Sequence, residues 1–182
     1  MAANYVYFDL ETQRTAHDVG GWGNKRDMGM SIGAIYSSAT GEYEIFSEKR
    51  VHDLVNRLMR ADWVVGFNVI NFDFEVLMGY SILDLAAQVP TVDLLVDIEK
   101  ALGHRVGLDA VASATIGVGK TGVGLDAIQW WREGRLLDIA EYCCFDVKAT
   151  KLVHEYGAKH GVVRYEDKFG QLREVAVDWK LT

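Results

Sequence analysis

The sequence predicts an α/β fold, a mixed sheet covered by helices. Three observations carry that reading. Strand-like segments come first, strands mixed with helices follow, and helical patterns dominate the second half. Residues 31–36 and 43–46 flank the turn "SATGE" and read as a hairpin. Residues 136–160 set Ile139, Cys143, Val147 and Thr150 at i, i+4, i+8 and i+11, a stripe that must face a core.

The elements follow in order. Residues 5–10 alternate as a strand, with Val6, Phe8 and Leu10 on one face and Tyr7, Asp9 and Glu11 on the other. Residues 12–28 are polar and Gly-rich, a loop that carries Trp22. After the hairpin, Ser47 is placed to cap a helix running to about residue 60, with Val51, Leu54, Val55 and Leu58 at helical spacing. Residues 63–67 read as a short buried strand. Asn71 is placed to cap a helix over 72–78. The only proline, Pro90, precedes a strand at 91–94. Helices follow near 94–102, 108–115 and 126–132, the last two separated by the loop "GVGKTGVG". The last segment, "VVRYEDKFGQLREVAVDW", reads as a hairpin turning at Gly170. No repeat or low-complexity tract interrupts the chain. Its 182 residues suit one domain, with 161–182 as a hairpin extension.

Composition limits the function. Apolar residues at 49% and charged residues at 25% belong to a globular chain, not a disordered one. No apolar run reaches the length of a membrane span, so no membrane partner is expected. The N-terminus lacks a basic segment followed by an apolar stretch, so no secretory signal is expected. Cys143 and Cys144 are adjacent and cannot staple a framework; they read as helix packing in a reducing, cytoplasmic compartment. A net charge of −7 disfavours a broad electrostatic nucleic-acid binder. The objection weakens if several acids are metal ligands, because bound cations would invert the local field.

Asp9 and Glu11 end an apolar strand one residue apart on one face, where they repel unless something positive lies between them. "GFNVINFDFEVL" sets Asp73 just inside a helix that follows a buried strand. "YCCFD" sets Tyr142 and Asp146 on one face of the long helix. Each acid alone has a plain explanation: a polar strand end, a favourable charge at a helix N-terminus, a solvated helix face.

Together, "FDLET", "GFNVINFDFEVL" and "YCCFD" resemble, in order, the three exonuclease motifs of the DEDD superfamily, in its tyrosine-bearing DEDDy branch. The resemblance covers most of residues 4–155. It implies a ribonuclease-H-like fold with a mixed five-stranded sheet flanked by helices. It implies a metal-dependent 3′–5′ exonuclease that hydrolyses phosphodiester bonds at the 3′ end of single-stranded DNA or RNA. Two divalent ions, Mg²⁺ or Mn²⁺, would serve that chemistry. By the same resemblance Asp9 would bridge both ions, Glu11 and Asp146 would complete one site, and Asp73 would hold the other. Tyr142 would orient the attacking water, since a tyrosine with a pKa near 10 is a poor base at neutral pH. Thr12 and Asn68, beside the acids, would touch the terminal nucleotide. A polymerase or helicase, as partner or fused domain, would deliver the strand.

Other signals are weaker. "ATIGVGKT" fits a loose phosphate loop, but no buried strand leads into it. Lys120 within it is a candidate phosphate contact. His52–Asp53 lacks companion histidines. Trp130–Trp131 points two ways from one helix, so Trp22, in the loop after Glu11, is the better stacking candidate. The rivals are an internally cutting ribonuclease-H-like nuclease, a nucleotide switch on "GVGKT", and a catalytically silent nucleic-acid-binding or docking module for a polymerase or helicase.

Overall fold

The computed structural model describes residues 3–119 and 124–181. Its centre is β1 (Tyr5–Thr12), flanked by β2 (Met30–Ser37) and then β3 (Glu42–Ser47). After α1 (Val51–Met59), β4 (Trp63–Gly66) takes the other side of β1. Two short helices follow, α2 (Asp73–Leu77) and α3 (Leu85–Gln88), and then β5 (Thr91–Asp93) at the edge. The sheet order is β3-β2-β1-β4-β5. β1 pairs antiparallel with β2 and parallel with β4, so the sheet is mixed, as the sequence predicts. Helices α4 (Leu94–Leu102), α5 (Leu108–Ile116), α6 (Gly124–Arg132) and α7 (Leu136–His160) complete the layers. The hairpin of β6 (Val162–Glu166) and β7 (Leu172–Ala176) stands apart from the main sheet, and Gly170 turns it with φ 73°. No helix is long and apolar enough, among the described residues, to cross a membrane.

The alternation of β1 serves two cores. Val6, Phe8 and Leu10 pack under α1 and α2 with Leu54, Leu58, Phe74 and Leu77. Tyr5 and Tyr7 face the opposite way, into a core with Ile139, Cys143, Val147 and Val153 of α7. Both faces of the strand are therefore covered, and burying its large side chains is worth about 1.5–3 kcal/mol apiece. Asp9 and Glu11 continue the Tyr5–Tyr7 face, so the strand delivers them beneath α7. Two bonds set α7 on the strand. Cys143 Sγ lies 3.4 Å from Asp9 Oδ2, and the Tyr7 hydroxyl lies 3.1 Å from His154 Nδ1. His154 is fully buried among Tyr5, Tyr7 and Trp179, its Nε2 has no partner among the described residues, and burial pushes its pKa down to about 4.

The segment between β1 and β2 is more ordered than a polar loop suggests. It closes where Gln13 N–H donates to the Gly29 carbonyl at 2.9 Å, and it contains a 3₁₀ stretch, Trp22–Asp27. The Tyr80 hydroxyl accepts from Met30 N–H at 2.8 Å and donates to Glu48 at 2.7 Å. The two expected caps are not made. Ser47 leads into a 3₁₀ turn, Glu48–Arg50, before α1, and α2 is preceded by Phe72 with no side-chain cap. In both places the chain enters its helix by a tight turn that leaves no capping geometry to the expected side chain.

The loop is seated against α2 where Gly79 meets the Arg26 carbonyl oxygen, and any Cβ at Gly79 would collide with it. Gly79→Ala should lower the unfolding free energy by about 1–3 kcal/mol, as overpacking does. Urea denaturation checks this; unchanged stability would show that the loop is free to move away from α2.

Candidate metal centre

β1 and α7 bring three carboxylates together. One ligand atom from each of Asp9, Glu11 and Asp146 lies within 4.8 Å of the others. Asp9 and Glu11 share a face because they are two residues apart on a strand. Asp146 reaches them because α7 crosses that face. Tyr142, one turn earlier, hydrogen-bonds Asp146. Asp73 stands beside the group and not in it. Only 3% exposed, it accepts Leu10 N–H on Oδ1 at 3.0 Å, beyond Tyr7↔Val65, the last β1–β4 pair.

The electrostatics are those of acids short of positive charge. Burial, then Asp73, Asp146 and Glu11, hold Asp9 well above the usual carboxylate range. Burial, then Asp146 and Asp73, do the same to Glu11. Burial outweighs the backbone bonds at Asp73 and raises it as well. Asp146 is pushed up to about 7 by burial and by Asp109 of α5, against the lowering effect of the Tyr142 hydroxyl. Burial and the same acids push the Tyr142 phenol far up, so it remains a hydrogen-bond donor at neutral pH. Among the described residues, no basic side chain relieves the four acids. Oxygen donors from two rigid elements, half-buried and mutually repelling, fit a hard divalent cation.

Two residues that sequence reasoning missed hold this arrangement. Cys143, read as packing, is buried, but its thiol also donates to Asp9, at 3.4 Å to Oδ2 and 3.3 Å to the carbonyl. The available signal was its place directly after Tyr142, on the stripe that faces the sheet. Asp93 is a buried hub at the end of β5. Its carboxylate accepts from Asn68 N–H at 2.8 Å, Ile70 N–H at 3.0 Å, Leu95 N–H at 3.1 Å and Val96 N–H at 3.3 Å. An aspartate directly before an apolar helical run is an N-cap signature that could have marked it. Asp93 thereby ties the β4–α2 turn to α4 and holds Asn68 at φ 69°.

The other expected residues divide. Thr12 is buried, and its hydroxyl donates to the Arg14 carbonyl. Trp22 is 67% exposed and meets the Phe72 ring edge-on at 6.3 Å. Thr12, Trp22, Phe72, Leu125 and Ile128 line an apolar cleft of about 500 Å³ that opens beside Glu11. Asn68 does not line that cleft; its Oδ1 accepts from Arg105 at 2.8 Å. Lys120 lies outside the described residues.

No protein-family model matches the sequence, and no curated protein sequence does either. Among solved structures, the chain is similar to the family B DNA polymerase from the hyperthermophilic archaeon Pyrobaculum calidifontis, with a TM-score of 0.65 at 19% identity. The match covers 86% of this chain and 25% of the polymerase, so the chain spans about a quarter of that protein's length. At this identity the likeness establishes the shared fold, an α/β mixed sheet of ribonuclease-H-like type.

A carboxyl group raised on folding withdraws stability as pH rises, because the folded chain holds the proton more tightly than the unfolded one. For Asp146 the window runs from 3.8 to about 7. In EDTA, Asp146→Asn should gain stability relative to the wild type as pH rises through that window. With Mn²⁺ at neutral pH the order should reverse, since the wild type alone keeps the full ligand set. Thermal denaturation of both proteins in both conditions checks this. An order that does not change with Mn²⁺ would contradict a cation site at these acids.

Proposed function

We propose that the chain is a metal-dependent 3′–5′ exonuclease acting at single-stranded nucleic-acid ends. The observation that carries this is the meeting of Asp9, Glu11 and Asp146 within 4.8 Å, with Tyr142 bonded to the last of them. The 3′–5′ polarity rests on the resemblance of the three motifs to those of DEDDy exonucleases. A fold shared with part of a DNA polymerase supports work on a nucleic-acid strand, with a polymerase or helicase as partner or fused domain. Residues 1–182 would act as one domain, in a reducing cytoplasmic compartment that keeps Cys143 and Cys144 as thiols.

In this reading Asp9, Glu11 and Asp146 would hold one Mg²⁺ or Mn²⁺ ion, and Asp9 with Asp73 would hold a second. Such a pair of ions would lower the pKa of a water and offset charge on the leaving oxygen. The chain supplies the rest. The Cys143 thiol fixes the Asp9 carboxylate, and Leu10 N–H fixes that of Asp73. The protonated Tyr142 hydroxyl orients the attacking water by hydrogen bonding and does not remove its proton. The apolar cleft beside Glu11 takes the terminal base against Trp22 and Phe72.

End-labelled single-stranded DNA and RNA, incubated with Mn²⁺, Mg²⁺ or EDTA, test the proposal. The expected result is a metal-dependent ladder shortening from the 3′ end. It should be abolished in Asp9→Ala and slowed about 10²-fold in Tyr142→Phe, the scale of a misplaced reactant. A linear product from a circular single strand would instead indicate internal cutting. No cleavage of either strand with either metal would overturn the proposal in favour of the silent binding or docking module.

A further inference from the structure

Trp22 and Phe72 wall two clefts, and only one has a role in the proposed reaction. The second, about 370 Å³, is lined by Trp22, Lys25, Asn68, Asn71, Phe72 and Arg105. The two differ in their polar lining. The cleft beside Glu11 is mostly apolar, with Glu11, Arg14 and His17 among its polar residues. The second carries two cations and two amides and none of the four acids of the metal centre.

The two cations are held differently. Lys25 is half-buried in the 3₁₀ stretch and makes no ion pair with a carboxylate among the described residues. Its neighbour Arg26, by contrast, pairs with Glu75 at 3.4 Å. Arg105 comes from the turn between α4 and α5. One of its nitrogens donates to Asn68 Oδ1 at 2.8 Å, and another pairs with the Glu99 carboxylate at 3.4 Å. Asn68 is itself fixed by the Asp93 hub, and it is the one described non-glycine residue with positive φ. Asn tolerates that conformation better than most residues. The cleft thus joins a rigid amide and its guanidinium partner to an ammonium with no carboxylate partner among the described residues.

We infer that this second cleft is a phosphate-binding station for the strand backbone, with Lys25 and Arg105 as its anion contacts. The inference rests on the nuclease reading and extends it. Because Trp22 and Phe72 line both clefts, a strand whose terminal base lies in the apolar cleft can pass over them into the basic one. The charge distribution favours this occupant. In a chain of net charge −7, a cation pair without full carboxylate compensation, next to an exposed indole, suits an anionic aromatic polymer. It also places backbone affinity away from the metal centre, where the acids repel every phosphate that a metal ion does not neutralise.

The test is equilibrium binding of a fluorescein-labelled single-stranded oligonucleotide with Ca²⁺ present, between about 50 and 200 mM salt. Lys25→Gln is the cleaner variant, since Lys25 supports no other side chain; Arg105→Gln is the second. Each should weaken binding about threefold or more and flatten the log–log salt dependence by about 0.7, the value for one lost phosphate contact on a single strand. Free thymidine monophosphate should compete weakly and equally against wild type and variants, because the station reads the backbone next to the terminal nucleotide. Competition that Lys25→Gln abolishes would make it a free-nucleotide site and overturn the inference. So would unchanged affinity and salt slope in both variants, or a wild type that does not bind the strand.

Hydrolysis of the p-nitrophenyl ester of thymidine monophosphate, which has no upstream backbone, separates this inference from the nuclease reading. Lys25→Gln should leave that rate unchanged. A wild type inactive on the ester and on strands alike would remove the nuclease reading, while the salt slopes would still decide whether the cleft holds a backbone.

Discussion

The structure turns on one unfavourable interaction, the confinement of like charges under a long helix. Asp9, Glu11 and Asp146 meet at the crossing of β1 and α7, with Asp73 pressed beside them and, among the described residues, no basic side chain to relieve them. Both elements are anchored by large apolar cores, so the half-buried acids cannot move apart into water. The chain is left with two options, to take up protons or to take up cations. Burial and mutual repulsion raise the carboxyl groups, which favours a proton until a cation takes its place.

The remaining polar machinery serves to hold this frustration in place. Cys143 restrains Asp9 from the helix side, and the Leu10 amide restrains Asp73 from the strand side. Further out, Asp93 gathers four backbone amides and so fixes the turn that carries Asn68 and leads to Asp73. The loop that bears Trp22 is seated by Gly79 and Tyr80 on one side, and Arg132 of α6 reaches Asp18 at 3.0 Å on the other. Stability and function pull in opposite directions here. The cores supply the free energy, and the site consumes part of it to keep a cation-hungry cluster preorganised.

Local pattern carried the sequence reading furthest. The limits of α7 agree with the expectation, because a long amphipathic stripe ends at a glycine, Gly161, in the left-handed conformation. The alternation in "YVYFDLET" put Asp9 and Glu11 on one face, and the spacing in "YCCFD" put Tyr142 with Asp146. The four-residue helix α3 was not legible, being shorter than the period that reveals a helix. The expected caps failed at Ser47 and Asn71 because the chain turns tightly there, and at Asp93 the cap signal was present but read as a strand end. The contacts that shape the clefts were out of reach for a different reason. Asp18 and Arg132 are 114 residues apart, and Asn68 and Arg105 are 37 apart, so no local pattern announces either pair. The sheet order rests on pairings of the same long range.

The most direct test of the central claim is a count of bound ions. Calorimetric titration of the metal-free protein with Mn²⁺ at neutral pH should show about two ions per chain, with proton release as the raised carboxyl groups ionise. Asp9→Asn should lose both, since its carboxylate is assigned to each. Failure of the wild type to take up Mn²⁺ at millimolar concentration, or full uptake by Asp9→Asn, would contradict the account. The acids would then be a buried, protonated cluster and not a metal centre.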